Sequence, residues 1–223
     1  ANAKVAITLS WDKAKIQTTA DKDGRWAVKV ATPKGSFEPQ TITISDGEKV
    51  VLENVLIGDV WVTSGQSNME MPVKGFDRQP VENSPDYILS ASQMENKIRM
   101  FEVERARSFE DLDDCKGQWQ VAAPASVAEM SATAYFFAYN LAMGVDIPIG
   151  IINTSWGGTR VESWMPQSAL EDILSKEQIE HKKTVHSIKP TELYCGMIAP
   201  IRNFSARGFL WYQGCSNLGD NDH

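Results

Sequence analysis

Residues 58–71 read Gly-Asp-Val-Trp-Val-Thr-Ser-Gly-Gln-Ser-Asn-Met-Glu-Met, and this stretch decides the fold of the chain. The apolar run from Val55 through Val62 predicts a buried strand, which stops at the polar turn around Gly65 and Ser67. In open α/β sheets, ligands bind outside the carboxyl ends of the strands. A serine at this position is therefore a candidate nucleophile, but it is equally compatible with a cap of the following helix. This stretch alone leaves both interpretations open.

The composition excludes several classes of function. The 223 residues carry a formal net charge of −7, which argues against binding to the phosphate backbone of a nucleic acid. The apolar runs are too short to span a bilayer. The three cysteines are too widely spaced for a zinc site and allow one disulfide at most, and the histidines form no ligand cluster. We predict no metal, no other cofactor, no nucleic acid and no membrane span, and the oligomeric state stays open.

The first 56 residues show short apolar alternations separated by turns. Val5, Ile7 and Leu9 alternate with polar neighbours, and the same pattern recurs at 26–30 and 42–44. Turn signals rich in Gly, Asp and Pro separate these runs. The segment is short for a complete sandwich. We therefore expect residues 1–56 to be a partial N-terminal β-sandwich-like accessory domain.

From Val55 onward, predicted strands alternate with predicted helices, which is typical of a parallel sheet covered on both faces. After the serine turn, residues 72–95 predict a long irregular loop. Further predicted elements are strands over 98–103 and 147–152, an extended segment over 119–124, and helices over 131–144 and 166–174, the second with a charged, solvated continuation over 177–183. His181 and His186 lie in polar surroundings typical of a surface. Residues 57–223 are assigned to one α/β domain.

Two further strands are predicted to end in glycine and polar residues. The first ends before Gly157 and Gly158, whose backbone N–H groups can bind an oxyanion, although double glycine is also common in plain turns. The second ends before Gln213 and Gly214. Three ends of this kind can converge at one edge of a sheet, as acyl-transfer chemistry requires. The pattern favours a shared site over three unrelated turns.

The same three stretches resemble the motifs of the SGNH-hydrolase superfamily, specifically the sialate O-acetylesterase-like carbohydrate esterases. They read Gly-Gln-Ser-Asn-Met at 65–69, Ser-Trp-Gly-Gly-Thr at 155–159 with Glu162 and Trp164, and Trp-Tyr-Gln-Gly at 211–214 with Ser216 and Asn217. The resemblance runs in order from about residue 55 to residue 217. It implies a three-layer SGNH-hydrolase (flavodoxin-like) fold, a parallel sheet with helices on both faces, preceded by part of a small β-sandwich domain.

The resemblance also implies a catalytic set. Ser67 is expected to attack an acetyl carbonyl as the nucleophile. The oxyanion is expected to be held by the Ser67 backbone N–H, a backbone N–H of Gly157 or Gly158, and the side-chain amide of Gln213. Each preorganised donor of this kind contributes roughly 3 kcal/mol to the rate.

The resemblance implies substrate contacts as well. Asn68 is expected to contact the sugar. Arg160, Glu162 and Trp164 are expected either to contact the sugar or to form a salt-bridged and packed helix start. Cys215 stands where many relatives have a glutamate, so any role of a carboxylate at that position is in doubt.

A serine esterase needs a histidine to accept the serine proton, usually oriented by a carboxylate. In the superfamily these two residues belong to an Asp-x-x-His motif well downstream of the Gln-Gly segment. Asp220 and His223 have this spacing but follow Asn217 too closely. We predict that they match by coincidence, that the chain is incomplete at both ends, and that the catalytic pair lies beyond residue 223.

The resemblance implies a serine esterase that removes O-acetyl groups from sialic acid or a related acetylated sugar through a Ser67 acyl-enzyme. An acetylxylan esterase and a lipid esterase of the same superfamily are alternatives. A different class of alternative is a non-catalytic carbohydrate-binding module or inactive fragment, in which the seven tryptophans provide platforms for sugar rings. The expected partner is an acetylated carbohydrate, and the resemblance implies a secreted or periplasmic protein.

Overall fold

A computed structural model of the chain describes residues 1–218. The contacts divide it into two compact units, one of residues 1–59 with 146–148 and one of residues 60–145 with the chain from 149 onward. Each unit contains a sheet of its own. No helix within the described range is long and apolar enough to cross a membrane.

The first unit is an antiparallel sheet of β1 (Lys4–Leu9), β2 (Asp12–Thr19), β3 (Ser36–Ser45) and β4 (Lys49–Ile57). The strand order is β2-β1-β3-β4. On β1, Val5, Ile7 and Leu9 are buried and the residues between them are not, as their alternation predicts. The three side chains form the core of this unit, against which Ile42 and Ile44 of β3 pack.

Residues 26–30 were expected to form a strand, but within the described chain they form none. Val28 and Val30 nevertheless pack on the core of the first unit. The Trp11 indole N–H also donates to the Ala31 carbonyl (3.0 Å), which holds the end of the segment. Alternation of apolar and polar residues indicates which side chains face a core. A strand also requires a neighbouring strand that hydrogen-bonds to its backbone groups. The interpretation of residues 1–56 as a partial sandwich stays a prediction.

The second unit contains a mostly parallel five-stranded sheet with helices, which confirms the predicted α/β class. The strands are β5 (Asp59–Gly65), β6 (Ile98–Glu102), β7 (Trp119–Val121), β8 (Ile149–Ser155) and β9 (Gly208–Tyr212). Their order is β7-β6-β8-β5-β9. β6 runs parallel to β8 and β5 runs parallel to β9, whereas the edge strand β7 is antiparallel to β6. β8 is buried along its whole length, as an uninterrupted apolar run predicts.

The helices of this unit are short except for one. They are α1 (Ser67–Glu70), α2 (Ser84–Leu89), α3 (Pro124–Glu129), α4 (Ala132–Gly144), α5 (Gln167–Glu171) and α6 (Lys176–Val185). The predicted start of α4 is confirmed, because the Ser131 hydroxyl accepts the Ala134 N–H (3.2 Å) as an N-cap. The bounds of α5 differ from the predicted ones by one and three residues, and α6 is a separate helix over the segment that was predicted as a charged continuation of α5.

The apolar run of residues 55–62 is divided between two strands, so its prediction as one strand was wrong. β4 ends at Ile57 and β5 begins at Asp59. A Cβ at Gly58 would lie 2.0 Å from the Pro148 carbonyl oxygen, and the Asp59 N–H donates to that same oxygen (3.0 Å). The approach of another chain segment therefore breaks the run at its only glycine.

Residues 72–95 are less irregular than predicted. They contain α2 and a single 3₁₀ turn over Ala91–Met94. The Tyr87 ring packs edge-on against Phe136 and Tyr139 of α4, with ring centroids 4.8 and 5.2 Å apart. Such tertiary packing stabilises a short helix whose sequence has little helical propensity of its own.

Candidate active site

The three strand ends that the sequence singles out meet at one edge of the sheet. β5 lies between β8 and β9, so the three strands are neighbours. The Trp156 N–H, just after β8, donates to the Gly65 carbonyl at the end of β5 (3.1 Å). The Gln66 N–H donates to the Tyr212 carbonyl at the end of β9 (3.0 Å). The residues that follow these strands are therefore brought together.

Ser67 is the first residue of α1 and directly follows the turn at the end of β5. Gly65 has a φ of +148°, and a Cβ there would lie 2.1 Å from the Tyr212 carbonyl oxygen, so only glycine fits. Gln66 occupies the N-cap position of α1. Ser67 is thus half-buried inside the helix start, and its interpretation as a helix cap was wrong.

Gln66 ties the serine turn to the segment after β9, a role that the sequence alone did not indicate. Its side chain is buried. The Oε1 atom accepts the N–H groups of Gly214 and Ser216 (3.2 Å each), and the Nε2 atom donates to Ser216 Oγ (3.1 Å). Because its hydrogen-bonding groups are used across this gap, Gln66 fixes the spacing between the two loops.

Gly157 and Gly158 lie beside the serine turn. A Cβ at Gly157 would lie 3.6 Å from Ser67 Cα and 2.3 Å from Glu70 Oε2. The Gly157 N–H donates to Glu70 Oε2 (2.8 Å), so this group is already engaged. The Gly158 N–H has no acceptor within residues 1–218, and Gly158 is exposed with a φ of +72°. Of the two glycines, Gly158 has the N–H that is available to a ligand.

Gln213 follows β9 and directs its amide to neighbouring groups of the protein. Its Nε2 atom donates to the Thr159 carbonyl (3.2 Å) and to Asn217 Oδ1 (2.8 Å). A primary amide nitrogen carries two protons, and both are used in this arrangement. Donation from Gln213 to an oxyanion stays a prediction, and it requires one of these two bonds to be exchanged.

Glu162 and Trp164 are buried, so the structure supports the packed alternative for them and not direct contact with a sugar. Glu162 Oε1 pairs with Lys182 Nζ (2.9 Å), and its Oε2 accepts from Asn217 Nδ2 (2.8 Å). The Trp164 indole N–H donates to Thr159 Oγ1 (2.9 Å). The buried side chains of Glu162 and Trp164 thus stabilise the loop after β8 from the protein interior.

Two other predicted substrate contacts remain accessible to different degrees. Asn68 is exposed, and its carbonyl accepts from Thr133 Oγ1 (2.8 Å), which holds the α1 backbone. Arg160 is half-buried, with Nη1 3.5 Å from His186 Nε2. Contact of these two residues with a sugar stays a prediction.

Neither histidine in the described range hydrogen-bonds to Ser67. His181 is exposed and lies on α6, and His186 lies beside Arg160. Asp220 and His223 lie outside the described residues. The location of the catalytic histidine and aspartate therefore stays a prediction.

No group of three or more His, Cys, Asp or Glu side chains in the described part of the chain is placed to hold a metal ion. All three cysteines are free. Cys195 is buried, Cys115 is half-buried and Cys215 is exposed at the start of the turn Cys215–Asn217. The structure therefore contains no disulfide between them.

A cavity of about 410 Å³ opens beside α1, and its lining includes Glu70, Glu102 and Ser155. The Asn153 amide donates to both Glu102 carboxyl oxygens (2.9 Å each), and its Oδ1 accepts from Thr63 Oγ1 (2.8 Å). Burial of the carboxyl raises the pKa of Glu102 from 4.5 to about 7, although the bond from Asn153 acts in the opposite direction. Asn153 thus links the ends of β5 and β6 beneath the site.

The raised pKa of Glu102 predicts a pH-dependent contribution to stability. The folded protein holds this proton up to about pH 7, whereas the unfolded chain releases it near pH 4.5, so the contribution is complete below pH 4.5 and is lost as the pH rises to about 7. In Glu102→Gln this loss is absent. Urea unfolding from pH 5 to 8 should show the stability of the wild type falling relative to the variant, with exposed Glu180→Gln as the control. A difference that does not change with pH would contradict the assignment.

Comparison with known proteins agrees with this architecture. The family model described as "Carbohydrate esterase, sialic acid-specific acetylesterase" matches residues 57–223. The human sialate O-acetylesterase is 31% identical and that of Pongo abelii is 30% identical, and each alignment covers 98% of this chain and 44% of the relative. A crystal structure of a carbohydrate acetylesterase from Xanthomonas citri superimposes with a TM-score of 0.84 at 32% identity, over 99% of this chain and 47% of that one.

These matches confirm the resemblance seen in the three motifs. The chain spans about half the length of the relatives that it matches. The family model alone matches most of the chain. The chain belongs to the sialic acid-specific acetylesterase family of carbohydrate esterases.

Proposed function

We propose that the protein containing this chain is a carboxylic-ester hydrolase that removes O-acetyl groups from a sugar through an acyl-enzyme on Ser67. One observation carries the proposal: Ser67 begins α1 at the meeting point of three strand ends, with Gly157 directly beside it and Gly158 next along the chain. The relatives, a sialate O-acetylesterase and a carbohydrate acetylesterase, support the choice of an acetylated sugar.

In the proposed first step, Ser67 Oγ bonds to the acetyl carbon while a histidine outside residues 1–218 accepts the serine proton. That proton passes to the sugar oxygen as the ester C–O bond breaks. Water then attacks the acetyl-serine, and acetate leaves as the serine recovers its proton. Each attack places a negative charge on the acetyl oxygen.

Two backbone donors are available for that charge. The first N–H groups of a helix have no partner within the helix, which leaves the Ser67 N–H at the start of α1. The Gly158 N–H lies on the loop after β8 and is free of acceptors within residues 1–218. Removal of one such donor lowers kcat by about 10²–10³-fold in other serine hydrolases.

The substrate is tested by acetate release from O-acetylated sialic acid, acetylated xylan and a chromogenic acetyl ester. We expect acetate from at least one of the two sugars, and a lower rate on a butyryl ester than on an acetyl ester. Faster turnover of the longer acyl chain would favour the lipid esterase. Sugar binding without acetate release would favour the non-catalytic carbohydrate-binding module.

We also propose, from the family resemblance, that the protein is secreted or periplasmic.

A further inference from the structure

Glu70 connects the helix of Ser67 with the loop after β8. It lies one turn after Ser67 on α1. Its Oε2 atom accepts the Gly157 N–H (2.8 Å). The next residue of that loop is Gly158, one of the two backbone donors assigned to the oxyanion. Glu70 therefore connects α1, the helix that begins at Ser67, by one hydrogen bond to the residue before Gly158.

Arg105 holds the other side of the Glu70 carboxylate. The Arg105 guanidinium forms an ion pair with Glu70 through Nη2 and Oε1. The same guanidinium lies over the Trp156 ring, 5.0 Å from its centroid. Trp156 immediately precedes Gly157. Arg105 and Glu70 therefore contact two successive residues of the loop. The loop after β8 is thus attached to α1 and to the segment after β6.

The Glu70 carboxylate and the Arg105 guanidinium have opposite electrostatic effects on an oxyanion. A carboxylate close to a developing negative oxygen disfavours it, whereas a carboxylate neutralised by a guanidinium does not. A hydrogen bond from the Gly157 N–H to a carboxylate is also stronger than one to a neutral oxygen. Arg105 therefore allows Glu70 to act as a strong acceptor for the loop without opposing the reaction.

We propose that Glu70, with its charge compensated by Arg105, is a positioning residue that engages the Gly157 N–H and leaves the Gly158 N–H for the oxyanion. The inference rests on the proposed Ser67 esterase function. Neither residue touches the substrate in this proposal, since both act through the loop after β8. The effect must therefore appear in kcat, which reports the transition state, and not in KM.

Four variants test the proposal by kcat and KM on an acetyl ester. Glu70→Ala removes the acceptor and should lower kcat by about 10–100-fold with KM unchanged, because a misplaced donor costs about 10²-fold. Glu70→Gln keeps an acceptor oxygen and should retain most of kcat. Arg105→Met leaves the Glu70 charge uncompensated and should lower kcat, and the double variant Glu70→Gln/Arg105→Met should recover much of that loss. Glu180→Ala, which removes the exposed partner of Lys183 (2.8 Å), is the matched control.

The outcomes separate this inference from the proposed function. If Ser67→Ala loses activity while Glu70→Ala keeps its kcat, the positioning role is wrong and the esterase proposal stands. If Ser67→Ala keeps its activity, the esterase mechanism itself is wrong. A rise of KM alone in Glu70→Ala would overturn the inference by indicating a substrate contact. If Glu70→Ala does not fold, Arg105→Met and the double variant decide, and a double variant no faster than Arg105→Met refutes the charge argument.

Discussion

Replacement of Ser67 by alanine is expected to lower kcat/KM for acetate release by at least about a thousandfold. Without the hydroxyl no acyl-enzyme can form, and only the binding site and the oxyanion donors remain to accelerate attack by water. The measurement is the initial rate on a chromogenic acetyl ester and on an acetylated sugar. A serine acetylated at position 67, found by mass spectrometry after brief mixing of the wild type with substrate, would identify the intermediate directly.

Stability and a second serine serve as controls for this substitution. Ser67 is half-buried, and Ser67→Ala removes only a hydroxyl group, so the variant should unfold at nearly the same temperature as the wild type. Ser92→Ala removes an exposed hydroxyl and should keep full activity. Equal rates in Ser67→Ala and the wild type would rule out Ser67 as the nucleophile.

Replacement of Lys182 by methionine is expected to lower the free energy of unfolding by about 3–5 kcal/mol, because the Glu162 carboxylate would be left buried without its partner. The side chains of Lys182 and Glu162 are only 4% and 8% exposed, and Nζ lies 2.9 Å from Oε1. The adjacent Lys183 provides a matched control. It pairs with Glu180, whose side chain is 70% exposed, so Lys183→Met should cost about 1 kcal/mol or less. Equal losses for the two variants would contradict the buried pair.

The same pair should show a characteristic pH dependence. Burial acts to raise the pKa of Glu162, but the hydrogen bonds from Lys182, the backbone and Asn217 lower it below 4.5 overall. Its contribution to stability is therefore present above pH 4.5 and is lost as the pH falls through the lowered folded pKa. The penalty of Lys182→Met should shrink in acid, where Glu162 is protonated. Chemical unfolding of both proteins at several pH values measures this.

Much of the architecture was predictable because the burial of a helix or strand is reflected in the local pattern of apolar and polar residues. The uninterrupted apolar run of β8, the alternation of β1 and the Ser131 cap of α4 each identified their element. The three strand ends that carry Ser67, Gly157 and Gln213 were predicted to share one edge, and β5, β8 and β9 are neighbours in the sheet. Parallel strands present their carboxyl ends together, so polar residues after such strands converge.

Other features were decided by contacts between residues far apart in the chain. The Pro148 carbonyl interrupts the apolar run at Gly58, and Val28 and Val30 cover a core without joining a strand. Neither event changes the local hydrophobic pattern, which records only whether a side chain is buried. The hydrogen-bond partners of a backbone segment depend on which other segment packs next to it, and the tertiary structure determines this.

The sequence by itself determined the α/β class, the family and the position of Ser67 at a strand end. Only the tertiary structure decided that Glu162 is paired inside with Lys182 and that Glu70 engages the Gly157 N–H. The physical reason is that a motif indicates a site by the chemical type and spacing of its residues, whereas an ion pair or a hydrogen bond depends on which side chains and backbone groups meet in the fold. Gly157 and Glu70, for example, lie 87 residues apart in the chain.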